Sequence, residues 1–175
     1  MPYAFELFFD ADTDREVRQA WRSLAEVSGS RYLEENCVRP HVALAVIEAA
    51  SEQMFQGWRT IFSAMDTSFA LEEDGKGSFP AGVAFVRFRR SISLLAMHQR
   101  LMEFCGHSSL QVSAHYRTQT WVPHCTLAQN FTPERMREIE CAANELQFSC
   151  PWTIASVGIV RFPPSVVIDE ETTTG

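Results

Sequence analysis

Residues 4–10, AFELFFD, alternate in polarity, with Phe5, Leu7 and Phe9 on one face against Glu6 and Asp10 on the other. A period of two predicts a strand. Thr13, with Glu16 three residues on, reads as a capping box that opens a helix. Val17, Ala20, Trp21, Leu24 and Val27 form its apolar stripe. Gly29-Ser30 and an irregular stretch follow, and then a β-rich run over 41–47. A second helix is predicted from Ser51, with Met54, Phe55, Trp58, Ile61, Phe62 and Met65 on one face. A strand over 68–72 completes the first half.

Asp74-Gly75-Lys76-Gly77 is a turn signal, and after it the same order returns. Residues 83–89 read as a strand, and 91–104 as a helix with Leu94, Met97, Leu101 and Phe104 in its stripe. A looser stretch leads to a short run over 121–128. Thr132-Pro133-Glu134 places a cap residue before Pro at the first helical position; Met136, Ile139, Ala143 and Leu146 continue that helix. Residues 153–162 read as a last strand, broken by Pro163-Pro164, with a loose tail from Asp169. Both halves therefore read strand, helix, loop, strand, helix, strand. The repeat predicts an α+β fold of two similar lobes facing each other.

The corresponding β-runs carry the candidate chemistry. They read Arg39-Pro40-His41-Val42-Ala43-Leu44-Ala45 and Val122-Pro123-His124-Cys125-Thr126-Leu127-Ala128, with the histidines 83 residues apart. Residues i and i+2 share a strand face. His41 and Ala43 therefore point one way, as do His124 and Thr126, while Val42, Leu44, Cys125 and Leu127 point into a core. A pseudo-two-fold axis between the lobes would bring both imidazoles to one cleft. Such a pair suits acid–base phosphoryl transfer. One neutral ring takes a proton from the attacking oxygen, and one protonated ring supplies the leaving oxygen. A hydroxyl two residues along can donate to a non-bridging phosphate oxygen. A single strand histidine is more often only a packed or surface residue; two copies at equivalent places in a repeat are what point to chemistry.

These paired motifs resemble those of the 2H phosphoesterase superfamily, which includes 2′-5′ RNA ligase-like proteins and cyclic phosphodiesterases. Residues 121–128 are similar to the family's second motif nearly letter for letter, and Gly77-Ser78-Phe79-Pro80 resembles its mid-chain hairpin. The resemblance implies a bilobal, pseudo-two-fold α+β fold, with two mainly antiparallel sheets facing a central cleft and helices outside. It implies one bilobal domain over 1–168, with lobes of roughly 1–75 and 76–168 open to strand exchange, and a flexible tail over 169–175. It also implies hydrolysis, or reversible formation, of cyclic or 2′-5′ phosphodiesters, with His41, His124 and Thr126 as the catalytic set. Ala43 departs from the pattern, which has Thr or Ser there, so the first half-site lacks a side-chain donor.

Composition narrows the ligand. Apolar residues make up 46% of the 175 and the net charge is −7, so the chain has ample material for a core but no basic surface for gripping long nucleic acid. Arg39, Arg117 and Arg161 are candidate phosphate contacts, each more often a solvated surface residue. Tyr116, Trp121 and Phe79 are candidates for stacking on a base at the cleft rim. Trp21 and Trp58 belong to core stripes. Five cysteines, an odd number without C-x-x-C, predict reduced thiols in the cytosol or nucleus. The first residues lack a basic n-region and no apolar run reaches membrane-span length, so neither a signal peptide nor a membrane partner is expected. His98, His107 and His115 with Cys105 match no zinc spacing. No metal or cofactor is therefore expected, and the partner is a small nucleotide or RNA end bound by a monomer. The leading reading is a cyclic phosphodiesterase. A 2′-5′ phosphodiesterase or ligase on oligonucleotides and a non-catalytic nucleotide or RNA-end binder stand as alternatives.

Overall fold

The computed structural model describes residues 1–63 and 69–172. In chain order the elements are β1 (Tyr3–Phe9), α1 (Ala11–Ser28), α2 (Tyr32–Glu35), β2 (His41–Ile47), α3 (Arg59–Ser63), β3 (Ala70–Leu71), β4 (Glu73–Phe79), β5 (Val83–Phe88), α4 (Ile92–His107), β6 (His124–Gln129), α5 (Met136–Glu145), β7 (Trp152–Arg161) and β8 (Val166–Thr172). The strands form two antiparallel sheets. One has the order β2-β1-β7-β3, with β8 also paired to β7; the other is β4-β5-β6. The first sheet thus takes two strands from the C-terminal half of the chain. The fold is α+β, as the repeat predicts.

The strand predicted over 4–10 is β1, although all of its residues are buried and Asp10 falls outside it as the cap of the next helix. Tyr3, Phe5, Leu7 and Phe9 face the core, while Glu6 lies on the opposite face that lines a cleft. The helix after it begins earlier than the capping box implies. The Asp10 carboxylate accepts from the Thr13 amide at 2.9 Å and caps α1, because an extended Asp places its oxygen over the first free amides. The Thr13 hydroxyl instead donates to the Pro151 carbonyl at 3.0 Å, and Glu16 accepts from the amides of Ser149 and Cys150. The stripe from Val17 to Leu24 is buried as expected.

Three further expectations change. The helix predicted from Ser51 is split into a 3₁₀ turn at Glu52–Phe55 and the short α3. Gly57 between them has φ +81, a left-handed backbone that ends a helix. Phe55, Trp58, Ile61 and Phe62 are still buried; Met65 and Ser68 lie outside the described residues. Asp74-Gly75 is not a turn but sits inside β4, where the pairing register shifts between Glu73 and Lys76, so the extra residues are taken up in a bulge. The reversal falls instead at Pro80-Ala81-Gly82. There Gly82 has φ +75, and a Cβ would stand 2.5 Å from the Phe131 carbonyl oxygen. Finally, the tail is not loose over 169–172, which belong to β8. Its acids are answered by cations: Asp169 and Glu171 pair with Arg59, and Glu170 with Arg39 at 2.9 Å. The Trp58 indole also donates to Asp169, at 2.8 Å. Residues 173–175 lie outside the description.

Candidate active site

The two histidine strands are built on one register. In the first sheet Phe8 pairs with His41, Glu6 with Ala43 and Phe5 with Ala45, with a bulge between Phe5 and Glu6. In the second, Arg87 pairs with His124, Phe85 with Thr126 and Ala84 with Ala128, with a bulge between Ala84 and Phe85. The skipped residues, Leu44 and Leu127, are core residues at the same place in each motif. The repeat therefore extends to the irregularity of each strand pair.

Both imidazoles line one cleft of about 660 Å³, together with Ala43, Thr126, Phe79, Tyr116 and Glu6. His41 Nδ1 lies 2.7 Å from the Arg39 carbonyl oxygen, and His124 Nδ1 lies 2.7 Å from that of Val122. A carbonyl only accepts, so each Nδ1 carries the proton and each Nε2 is left for the cleft. The main chain between the motifs is tied with the same symmetry. The Trp121 indole donates to the Ala43 carbonyl at 2.9 Å, and the Trp21 indole to the Thr126 carbonyl at 2.9 Å. These two tryptophans thus also hold the two motif strands through equivalent oxygens.

The surroundings of the rings differ. His124 is edged by Phe79 at 5.2 Å and Phe85 at 4.9 Å between ring centroids. Burial holds its pKa below the usual histidine value, the Val122 carbonyl works against that, and the charge of His41 adds to the lowering. His41 is also held low by burial, opposed by the Arg39 carbonyl. Its Nε2 lies 3.5 Å from the Glu6 carboxyl. Glu6 is 6% exposed. Burial pushes its pKa up to about 8, against the pull of the Arg39 charge. Tyr116 is pushed up to about 12 by burial and then by Glu6.

Not every candidate reaches the cleft. Arg39 is paired with Glu170 and stacked 4.1 Å over the Phe8 ring, and is not a cleft-lining residue. Arg161 faces Glu52 at 3.6 Å, and Arg117 is likewise outside the lining. Trp121 does line the cleft, but it does not stand free at the rim as a platform for a base. It is 1% exposed, with its ring stacked on His98 at 4.1 Å. His98 itself is buried, not solvated. Among the described residues, neither Lys nor Arg lines the cleft. Among the lining residues that escape the sequence pattern are His115 and Glu6. His115 sits in the loop before β6, where no periodicity marks it. Glu6 reads only as the polar face of a strand; the signal available is the repeat, since it stands where Phe85 stands in the second half.

A five-stranded and a three-stranded sheet, each presenting a histidine through an equivalent strand pair, match the architecture of the two-histidine phosphoesterases. Residues 12–163 match the 2′-5′ RNA ligase superfamily, and the chain belongs to it. Comparison with curated protein sequences returns no match. Solved structures share the fold over nearly the whole chain. A crystal structure of a phosphoesterase has 15% identity and a TM-score of 0.66, covering 99% of this chain and 98% of its own. The protein TT0787 of Thermus thermophilus has 14% identity and a TM-score of 0.67, with the same coverage. E. coli LigT complexed with 3′-AMP has 14% identity and a TM-score of 0.65, with both chains covered in full.

Proposed function

We propose that this chain is a metal-independent phosphoesterase, acting as one bilobal domain, that opens a cyclic phosphodiester with His41 and His124 as its acid–base pair. The observation that carries this reading is the matched placement of the two imidazoles, each with Nδ1–H donated to the carbonyl two residues back and Nε2 turned to a shared cleft. Water attacks phosphorus and loses its proton to one imidazole. The other protonates the departing ribose oxygen as the P–O bond breaks, which leaves a phosphomonoester. Thr126 donates to a non-bridging oxygen and stabilises the charge that grows there. The lowering of the His124 pKa by the charge of His41 supports His41 as the ring that carries the proton, the acid, and His124, edged by two phenyl rings, as the base.

A volume of about 660 Å³ suits a nucleotide-sized ligand. A lining without Lys or Arg among the described residues favours one phosphate carrying a single negative charge. A 2′,3′-cyclic mononucleotide has that character; a cyclic phosphate at an RNA end and an ADP-ribose cyclic phosphate share the singly charged reacting group but carry further charged phosphates, which would have to lie outside this lining. A longer 2′-5′ oligonucleotide would leave several phosphates without cationic partners, so ligase or phosphodiesterase action on oligonucleotides is the second reading. Phe79, half-buried at the rim, and Tyr116 are the stacking candidates that remain. The test is product analysis on 2′,3′-cyclic nucleotides, ADP-ribose cyclic phosphate and 2′-5′ dinucleotides in EDTA. Ring opening without added metal is the expected result. Turnover only of the dinucleotides, or only after a divalent ion is restored, would overturn the reading.

A further inference from the structure

The two half-sites differ by an exchange of polarity across one strand pair. In the second, the hydroxyl of Thr126 stands on the motif strand and the apolar ring of Phe85 stands opposite on its neighbour. In the first, the apolar Ala43 stands on the motif strand and the carboxyl of Glu6 stands opposite. The bulges fall at the same step, so these four residues occupy two equivalent pairs of positions. Glu6 lines the cleft, and its oxygen lies 3.5 Å from His41 Nε2.

We propose that Glu6 supplies the bound phosphate with the hydrogen-bond donor that Ala43 cannot, its protonated carboxyl taking the part that a hydroxyl takes in the other half-site. This rests on the two-histidine reading of the cleft. A carboxylic acid donates one O–H and still accepts, whereas a carboxylate only accepts and would repel a phosphate. The donor role therefore requires the neutral acid, which burial favours. Facing its proton are His41 from β2, 3.5 Å away, Tyr116 from the loop before β6, and Arg39, which is itself neutralised by Glu170 of β8; His115 and His124 line the same cleft. On the β7 side the residue opposite is Gly158, which adds no charge. A phosphate entering between the histidines adds a further negative charge and holds the proton on Glu6 more firmly.

The test compares wild type, Glu6→Gln, Glu6→Ala, Ala43→Thr and the double variant Glu6→Ala/Ala43→Thr, with thermal unfolding of each. Two readouts are used: turnover of 2′,3′-cyclic AMP and calorimetric binding of 3′-AMP. Glu6→Ala is expected to lose about 10²-fold in kcat/KM, the scale for removing one preorganised donor. Glu6→Gln keeps an N–H donor and should stay within about five-fold of wild type. The double variant should recover at least about ten-fold over Glu6→Ala, because the hydroxyl returns on the motif strand. Above pH 8 wild type should lose affinity for 3′-AMP while Glu6→Gln does not. A folded Glu6→Ala with wild-type turnover and affinity overturns the proposal, as does a folded double variant no better than Glu6→Ala. His124→Ala, on the other sheet from Glu6, separates the two claims. Full turnover in that variant sinks the two-histidine reading, and the binding arm still decides Glu6.

Discussion

The half of the cleft around His41 is polar at its floor and the half around His124 is aromatic, although their backbones follow the same pairings and the same bulges. Glu6 lies beside the first ring, with Tyr116 within reach of its charge; Phe79 and Phe85 edge the second. What is common to both is what the main chain sets: the Nδ1–H bond to a carbonyl, the indole tie to the residue two further on, and the leucine skipped at the bulge. What differs is side-chain chemistry, which drift can alter without moving a strand. A symmetric scaffold thus holds two imidazoles in equivalent places and surrounds them unequally. Unequal surroundings favour one protonation order over the other and widen the pH range in which one ring holds a proton while the other lacks it.

The most severe way to break the comparison is to remove either ring. His41→Ala and His124→Ala should each lose about 10²–10⁴ in turnover of a cyclic nucleotide while remaining folded. An activated substrate sharpens the assignment. With bis(p-nitrophenyl) phosphate the leaving group needs no proton, so His41→Ala should recover most of its loss and His124→Ala should not. Recovery in the opposite variant would reverse the two roles.

Much of this cleft is legible from residue order alone, for a physical reason. The P-H-x-[AT]-L-A runs are strands, and a two-residue period states which side chains share a face, so His41, Ala43, His124 and Thr126 can be placed together from the repeat. Side-chain partners are harder to read. Arg39 precedes His41 by two residues, yet its charge is consumed by Glu170, in a segment whose sequence reads as a loose tail. Trp121 reads as a stacking platform because it adjoins the motif, whereas its ring is drawn inward against His98. Glu6 belongs to an amphipathic strand whose polar face ordinarily meets water. Only the pairing of β1 with both β2 and β7 turns that face into a cleft floor.

Next in size is the loss of the hydroxyl in the aromatic half. Thr126→Ala should lower kcat/KM by roughly 10²-fold, since Phe85 opposite it offers no donor in exchange. Steady-state kinetics with unfolding measured alongside will show this. Wild-type activity would mean that the threonine serves only the strand.

The polar half should be recognisable by what it costs in stability. Glu6 is raised from 4.5 to about 8 in the folded chain. A raised carboxyl contributes stability that is fully present below its unfolded pKa and is lost as pH rises through its folded one. The loss therefore runs from about pH 4.5 to 8, at up to about 1.4 kcal/mol per pH unit. Glu6→Gln keeps the shape and removes the titration, so it should be more stable than wild type by on the order of 3 kcal/mol at about pH 7. At about pH 4.5 the two should agree. Urea unfolding of both proteins across this range tests it, and parallel curves would show that Glu6 is not a buried, costly acid.

A smaller effect separates the free from the occupied cleft. Both imidazoles are held below 6.5, first by burial. The working state has one ring protonated, and lowering both pKa values moves that window toward acid. The bell-shaped profile of kcat/KM, which reports the free enzyme, should therefore peak below pH 6.5. Bound phosphate favours the imidazolium, so the kcat profile should peak at higher pH. A free-enzyme optimum above about pH 7 would contradict the burial of the rings.

The smallest change is expected where the two halves differ most plainly in sequence. Ala43→Thr makes the first motif match the second, and on sequence alone it should restore a missing donor and raise turnover. With Glu6 beside it the position is already served, and a second hydroxyl adds little. The gain in an otherwise wild-type chain should be no more than about three-fold, well below the effect of losing a sole donor. Space also limits it. Ala43 is 7% exposed, and overfilling a packed site costs about 1–3 kcal/mol. The carbonyl that Trp121 holds belongs to the main chain, so the substitution leaves that tie in place. The informative comparison is the same change made in two backgrounds: slight where Glu6 is present and large in the Glu6→Ala variant. Equal gains in both would mean that the carboxyl and the hydroxyl serve different atoms of the substrate, and that the polarity exchange between the half-sites is not a substitution of one donor for another.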